Sequence, residues 1–257
     1  MKIHLLCENE ASDMVWLAEW GFSAFIEYGD TNILFDTGFS DVYQRNAAHA
    51  GLDLATADFV AISHFHRDHT RGLLYHTFKN RKKLVLHPRV LNAVLKTDDG
   101  QIKKDYADIH AVIEKDFEVE ASSGVFEFTE GAFFLGEVPR VTSFESGKFE
   151  DDPMIDDTAL AFRTDKGAVV VSGCSHAGIC NICEHAKSVT GQKLHAVIGG
   201  FHLLASENPP VDETIEYFRS DTPEVLLPMH CVDFPTLSRF HTEFGSPKFG
   251  AGSVIEI

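Results

Sequence analysis

The sequence predicts an α/β fold, because short apolar runs of strand length alternate with helix-like patterns. Strand-like runs at 2–7, 22–27 and 32–35 each end near glycine, aspartate or asparagine, which indicates an early β-meander. The apolar spacing over 41–52 then predicts a helix, and the next apolar run, 59–62, predicts a strand. The order of these segments indicates a β-helix-β unit.

The same alternation continues through the middle of the chain. Residues 83–87 are typical of a strand, and 89–96 predict a helix placed directly after Pro88, where a helix start is favoured. The polar and charged segment 97–116 is the predicted site of a family-specific insert that influences substrate choice.

Further along, residues 117–128 and 132–142 are rich in β-forming residues, whereas 146–153 has the composition of an exposed loop. No repeat of fixed period is apparent in the sequence. We therefore expect one domain spanning 1–257, with the predicted insert at about 97–116.

Composition indicates a soluble, cytoplasmic protein with a sizeable core. The chain has 257 residues, of which 44% are hydrophobic and 24% are charged. No stretch approaches the roughly 18 to 20 uninterrupted apolar residues of a membrane span, and charge soon breaks the N-terminal apolar run, so we expect no signal peptide. Five cysteines without a regular spacing fit reduced thiols better than disulfides.

The formal net charge of −17 argues against broad attraction to nucleic-acid phosphates. Bound metal ions concentrate positive charge locally even when the surface is acidic, so a small anionic substrate remains compatible with this charge. We expect a small-molecule anionic substrate, no membrane partner and no nucleic-acid partner, and the sequence leaves the oligomeric state open.

The most informative segment follows the apolar run 59–62 and contains three imidazoles and one carboxylate. His64, His66, Asp68 and His69 fall in a loop where the first two project to one side and the last two to another. Imidazole nitrogen and carboxylate oxygen are ligands that Zn²⁺ and similar divalent ions prefer. We therefore predict a metal site in this loop, with ligands for two ions.

This His-x-His-x-Asp-His pattern after a hydrophobic strand resembles the signature of the metallo-β-lactamase superfamily. Residues 21–27 and 32–38 resemble its two early strands, including the Phe-Asp-Thr-Gly turn, and 169–178, 198–203 and 228–231 resemble one branch of it. That branch of metal-dependent hydrolases includes the archaeal dihydropterin-methyl-ribofuranosylaminobenzene-phosphate synthases. The resemblance implies a four-layer αββα sandwich of two mixed β-sheets with helices outside and metals at one edge.

Three further histidines follow predicted strands and are candidates for the remaining roles. His176 stands after an apolar strand, as His64 does, and is a candidate metal ligand, the alternative being a cap or anion site at the next helix. His230 matches the final histidine of the superfamily pattern. His202 follows Gly199-Gly200 and is a candidate ligand or a candidate proton donor. The remaining histidines weighed individually have no such context and are expected to be satisfied or solvated; they are His4, His49, His76, His87, His110, His185, His195 and His241.

The chain departs from the wider superfamily at the bridging aspartate, which is not evident in it. Asp157 and Cys174 are candidates for the missing ligand, and Asp36 is expected to hydrogen-bond turn amides and histidines near the metal loop. The Cys180-x-x-Cys183 spacing is a weak signal for redox or structural-metal chemistry, because no second pair accompanies it.

Together these residues predict a binuclear metal-dependent hydrolase. The expected cofactor is Zn²⁺ at two sites, with Mn²⁺ or Fe as alternatives. Asp68 would ligate and orient the nucleophile, and His202 would donate a proton. The resemblance adds a pterin transferase that displaces diphosphate from a dihydropterin methyl diphosphate, and a metal-dependent ligand-binding or sensing protein is the non-enzyme alternative. The predicted ligands are His64, His66 and His176 for one ion and Asp68, His69 and His230 for the other.

Overall fold

The computed structural model describes residues 1–93, 95–96, 102–103, 106–149, 151–204 and 209–257. The described strands are β1 (Lys2–Cys7), β2 (Ser23–Tyr28), β3 (Thr31–Phe35), β4 (Phe59–Ala61), β5 (Lys82–Leu86), β6 (Leu95–Lys96), β7 (Ile102–Lys103), β8 (Phe117–Ala121), β9 (Phe126–Thr129), β10 (Ala132–Phe134), β11 (Ala159–Thr164), β12 (Gly167–Ser172), β13 (Leu194–Gly200), β14 (Val225–Met229) and β15 (Val254–Glu256). The α-helices are α1 (Val42–His49), α2 (Arg67–Thr70), α3 (Ala107–Asp116), α4 (Ile179–Thr190), α5 (Val211–Ser220) and α6 (Phe234–Phe244).

Two mixed sheets form the centre of the fold. The first has the strand order β15-β1-β2-β3-β4-β5-β8, in which β1 to β3 form the predicted antiparallel meander and β3, β4, β5 and β8 run parallel. The second has the order β14-β13-β12-β11-β10-β9, in which β12, β13 and β14 are parallel. The β-helix-β unit predicted from 32–62 is present as β3, α1 and β4.

Three apolar layers hold these elements together. Between the sheets, Phe35 from the first packs with Phe134 and Ile198 from the second. Outside the first sheet, α1 and α3 bury Tyr43 and Ile109 among other side chains. Outside the second sheet, α4, α5 and α6 cover the opposite face through a separate apolar cluster. The predicted four-layer αββα sandwich is therefore confirmed.

Some local predictions were wrong. The helix predicted over 89–96 is only a 3₁₀ turn at Pro88–Asn92, because Ala93 adopts an extended backbone with φ −63° and ψ 136° and ends the turn. The predicted β-rich segment 132–142 keeps only Ala132–Phe134 as a strand.

The segment 97–116 is partly described and is less insert-like than the sequence indicated. Its last ten residues form α3, whose Ile109 and Ile113 are buried in the layer outside the first sheet. Residues 97–101 and 104–105 lie outside the described part of the chain. The role of this segment in substrate choice stays a prediction.

Within the described ranges, no helix combines the length and the apolar character needed to cross a lipid bilayer.

Candidate metal centre

The two sheets bring five strand ends to one edge of the sandwich. In the first sheet, parallel strands β3 and β4 lead into the turn at Asp36 and the loop at 63–70. In the second, parallel strands β12, β13 and β14 lead into His176, His202 and His230. Because the carboxyl ends of parallel strands share one edge of a sheet, side chains distant in sequence converge there.

The backbone at this edge is strained where the strands end. Ser175, His202 and His230 have positive φ angles of 65°, 51° and 50°, and Asp36 has a φ of 54°. Such conformations are costly for residues with a Cβ and persist only where the surrounding structure holds them. Strained residues therefore follow β3, β12, β13 and β14, four of the five strands that end at this edge.

The first group of candidate ligands consists of His64, His66 and His176, whose ligand atoms lie within 4.8 Å of one another. Ser63 Oγ donates to Asp36 Oδ2 at 2.7 Å and accepts from His64 Nδ1 at 2.9 Å. This arrangement leaves the lone pair of His64 on Nε2. In the described part of the chain, His64 Nε2 and both ring nitrogens of His176 are buried without a hydrogen-bond partner.

The second group consists of Asp68, His69 and His230, and its hydrogen bonds define the ring tautomers. His69 Nδ1 donates to Asp36 Oδ2 at 2.7 Å, and His230 Nδ1 donates to Asn9 Oδ1 at 2.9 Å. In the neutral rings both Nε2 atoms therefore carry lone pairs, yet they lie 3.2 Å apart. Two lone pairs face each other stably at this distance only when a cation or proton lies between them.

The spacing of the second group fits a tetrahedral ion. Asp68 Oδ2 lies 3.6 Å from His69 Nε2 and 3.4 Å from His230 Nε2. Ligand atoms about 2.1 Å from a tetrahedral Zn²⁺ are roughly 3.4 Å apart. The donor types, the spacing and the buried nitrogens of both groups therefore fit divalent metal ions.

The charge of the two groups differs. Burial lowers the pKa of His66 to about 4 and holds the pKa values of His64 and His176 well below the usual range, with neighbouring histidines adding to the effect. Burial alone would raise the pKa of Asp68 and lower that of His69. The attraction between the two groups outweighs burial: it lowers the pKa of Asp68 and, together with Asp36, raises that of His69 to about 9. The first group is thus neutral near pH 7, and the second holds an ion pair.

Asp36 connects the two groups. Its Oδ1 accepts from the Ser63 backbone N–H at 2.8 Å, and its Oδ2 accepts from both Ser63 Oγ and His69 Nδ1 at 2.7 Å. A Cβ on Gly173 would lie 2.2 Å from Ser63 Oγ, so β12 can approach this cluster only with glycine there. The sequence prediction for Asp36 is confirmed.

Aromatic side chains cover the site and border its mouth. The ring centroid of Phe149 lies 5.2 Å from those of His66 and His176, so this side chain of the predicted exposed loop packs against the first group. Four other residues of the loop are exposed as predicted: Ser146, Lys148, Asp151 and Pro153. A cavity of about 330 Å³ lies beside Asp68 and is lined by Glu19, Trp20, Phe39, Arg67 and Asp68.

The structure therefore brings all six predicted ligands together in the two predicted groups. It also places His202 beside them, with its ring centroid 4.1 Å from that of His176. The eight histidines expected to be satisfied or solvated lie elsewhere. Seven contact a carboxylate or carbonyl oxygen through a ring nitrogen, and His49 is exposed; the seven are His4, His76, His87, His110, His185, His195 and His241.

Sequence reasoning missed several residues that hold the site. Asn9 fixes His230 from both sides, because its Nδ2 also donates to the His230 carbonyl at 2.9 Å. Glu8 Oε1 accepts from the His230 backbone N–H at 2.7 Å. Cys231 lies directly after His230 and was not singled out, although its position after a strand end was a usable signal. Arg71 donates from Nη1 to the Phe39 carbonyl at 2.9 Å, and its guanidinium lies over the Phe39 ring.

The chain is similar to known proteins over most of its length. The model of the metallo-β-lactamase superfamily matches residues 21–180. A Methanocaldococcus jannaschii protein named 7,8-dihydropterin-6-methyl-4-(β-D-ribofuranosyl)-aminobenzene-5'-phosphate synthase is 27% identical over 285 residues, covering 100% of this chain and 96% of that protein. An uncharacterized protein of the same organism is 27% identical over 254 residues, covering 92% and 93%.

Solved structures share the whole fold. A metal-dependent hydrolase of the β-lactamase superfamily, Tm1679, has a TM-score of 0.83 at 29% identity and covers 100% of this chain and 99% of its own. Zn²⁺-bound PqqB from Methylobacterium extorquens has a TM-score of 0.62 at 12% identity over 100% of both chains, a likeness of fold alone. By its matched residues and its fold, this chain belongs to the metallo-β-lactamase superfamily.

Proposed function

We propose that this protein is a binuclear metal-dependent hydrolase that acts on a small anionic ester or phosphoester. The observation that carries the proposal is the pairing of two ligand groups at one sheet edge, each with its ligand atoms within 4.8 Å. His64, His66 and His176 would hold one ion, and Asp68, His69 and His230 would hold the other. Two bound divalent ions would supply Lewis acidity and a water with its pKa lowered towards 7.

The protein side chains would position the substrate and the protons. The lowered pKa of Asp68 keeps its carboxylate ionised near neutral pH, so that it can orient the attacking water by accepting its hydrogen bond. His202, next to His176, is our candidate proton donor to the leaving group. The cavity of about 330 Å³ beside Asp68 is at the small end of ligand sites, which supports a small substrate.

Zn²⁺ is the ion we propose first, because five imidazoles and one carboxylate form the donor set. Mn²⁺ and Fe also accept these ligands and remain alternatives. All five cysteines are free thiols, which supports our proposal of a cytoplasmic location. The net charge of −17 supports a small anion over a nucleic acid as the substrate.

The test combines elemental analysis of the purified protein with a panel of ester and phosphodiester substrates, with and without added Zn²⁺ or Mn²⁺. We expect two ions per chain and hydrolysis that falls at least about 100-fold in His66→Ala, since removing a ligand costs more than removing a ligand's own partner. The matched control is His49→Ala, which removes an exposed histidine of α1. Fewer than one ion per chain after reconstitution would overturn the proposal.

A transferase is the second candidate, favoured by the full-length similarity to a protein named as a dihydropterin synthase. In that reaction an aminobenzene ribofuranosyl phosphate displaces diphosphate from a dihydropterin methyl diphosphate. The distinguishing measurement is diphosphate release with and without the aromatic acceptor. Release that requires the acceptor, in a protein with two ions and no activity on the ester panel, would replace hydrolysis by transfer.

A further inference from the structure

A third cluster of metal-ligating atoms lies beside the two groups already described and contains two thiols. Cys174, His202 and Cys231 follow β12, β13 and β14, and their Sγ and ring nitrogen atoms lie within 4.8 Å of one another. The Sγ of Cys174 and the Sγ of Cys231 are both buried in the protein. From this arrangement we infer that Cys174, His202 and Cys231 form a third metal position, one that takes a thiolate-preferring divalent ion such as Zn²⁺ or Cd²⁺.

The distances within the cluster fit such an ion. Cys174 Sγ lies 3.5 Å from His202 Nδ1. With sulfur about 2.3 Å and nitrogen about 2.1 Å from a tetrahedral Zn²⁺, a sulfur and a nitrogen ligand are roughly 3.6 Å apart. The observed spacing is therefore already that of a ligand pair.

The surrounding backbone contacts the sulfur atom of Cys231. The His202 backbone N–H donates to Cys231 Sγ at 3.1 Å, a contact of the kind that orients and stabilises a thiolate ligand. Cys231 Sγ in turn donates to the Cys174 carbonyl at 3.1 Å. An incoming ion would replace the thiol protons, so metal binding here releases protons to the solvent.

The main chain makes room for the cluster. A Cβ on Gly200 would lie 2.8 Å from Cys231 Sγ and 3.0 Å from the Cys174 Cα, so glycine at this position allows the thiols to approach each other. The positive φ of 51° at His202 and 50° at His230 turns the chain at the ends of β13 and β14, beside the thiols.

The third position is contiguous with the proposed binuclear centre. Cys174 Sγ also lies within 4.8 Å of ligand atoms of His64 and His69. Cys174 therefore belongs to the third cluster and also lies close to a ligand atom of each of the two candidate groups. Coordination through Nδ1 of His202 would leave its Nε2–H as a hydrogen-bond donor, so with this position filled His202 would stabilise the leaving group by hydrogen bonding in place of proton transfer.

The experiment is a Co²⁺ titration of the chelator-treated protein under anaerobic, reducing conditions, followed by absorption spectroscopy. A thiolate bound to Co²⁺ gives an intense near-ultraviolet charge-transfer band that imidazole and carboxylate ligands do not give. We expect the band in the wild-type protein and its loss, with one ion fewer per chain, in Cys231→Ser and in His202→Ala. Cys183→Ser, which alters a buried thiol of α4, is the matched control and is expected to keep the band.

The outcomes separate this inference from the proposed function. Co²⁺ bound without the band, with ester hydrolysis intact, would overturn the third position and leave the hydrolase standing. A band that survives in both Cys231→Ser and His202→Ala would also overturn it. If neither variant folds, sulfur scattering at about 2.3 Å in X-ray absorption of the wild-type metal-loaded protein decides, because its absence refutes thiolate ligation.

Discussion

The two imidazole-containing groups of the metal centre differ in how their charge is arranged before an ion binds. The group of His64, His66 and His176 is neutral near pH 7, because burial lowers the pKa values of all three rings. The group around Asp68 and His69 holds a preformed ion pair, with the pKa of the carboxyl lowered and that of the ring raised to about 9.

This difference predicts different roles for the two positions. An ion in the second group replaces a proton on His69 and keeps a full carboxylate charge beside it, so its binding is reinforced by Coulomb attraction. An ion in the first group meets only neutral nitrogens, two of them on His176 without a protein partner among the described residues. We expect the metal affinity of the second position to depend mainly on charge, and that of the first position to depend mainly on the geometry of its three rings.

The largest expected effect comes from removing the charge of the second group. Asp68→Asn keeps the side-chain shape but removes the carboxylate, so the affinity of that position should fall more than about 100-fold, beyond the cost of losing a ligand's partner. Elemental analysis after dialysis should then show one ion per chain in place of two. The matched control is Asp165→Asn, the same change at an exposed turn. Equal metal content in the two variants would remove Asp68 from the ligand set.

A smaller effect should follow from changing the residues that hold the rings. Asn9→Ala removes the acceptor for His230 Nδ1, and Ser63→Ala removes the acceptor for His64 Nδ1. Asn9→Ala should weaken the second position by about 10- to 100-fold and leave the first within about threefold. Ser63→Ala should weaken the first position by a similar factor and the second by less, because Asp36 loses its Ser63 partner while it keeps His69. Competition titrations with a zinc chelator resolve the two binding constants.

The control for these two variants is Ser122→Ala, which removes an exposed hydroxyl that donates to the nearby Gly124 carbonyl at 2.9 Å. If Asn9→Ala and Ser63→Ala weaken both positions equally, the two groups bind as one unit and the contrast between charge and geometry is wrong.

The sequence predicted which candidate ligands the fold brings together far better than it predicted the residues that support them. Each ligand follows an apolar strand, so its position at a sheet edge is a local pattern that can be read directly. Asn9 and His230 are 221 positions apart, and their contact arises only when β1 and β14 come together in the sandwich. Contacts between residues this far apart in sequence are determined by the tertiary fold.

The same distinction explains one of the errors in the fold. Pro88 correctly signalled the start of a helical turn, but the extended backbone of Ala93 ended it after a single 3₁₀ segment. The loop at 146–153 is polar enough to suggest exposure, yet Phe149 packs on histidines that belong to other strands. For Phe149 the decisive contacts lie outside the local sequence.

The smallest expected effect concerns Asp157, the carboxyl beside the first group. Its Oδ1 lies 3.9 Å from His64 Nδ1, and burial raises its pKa to about 7, with Asp156 adding to the rise. Between about pH 4 and 7 the unfolded chain is ionised at this residue while the folded chain keeps the proton. The contribution of Asp157 therefore lowers the free energy of unfolding of the metal-free protein as the pH rises through that window.

Asp157→Asn removes this titration and preserves an oxygen to accept from the Ala177 backbone N–H. In urea denaturation of the chelated protein at pH 4.5, 5.5 and 6.5, the variant should lose stability less steeply with rising pH than the wild type, by at most a few kcal/mol over the window. Loading the first position should flatten the wild-type curve too, because a nearby cation favours the ionised carboxylate. A wild-type slope that is unchanged by Zn²⁺ would place the bound charge away from Asp157 and His64, and would contradict an ion in the first group.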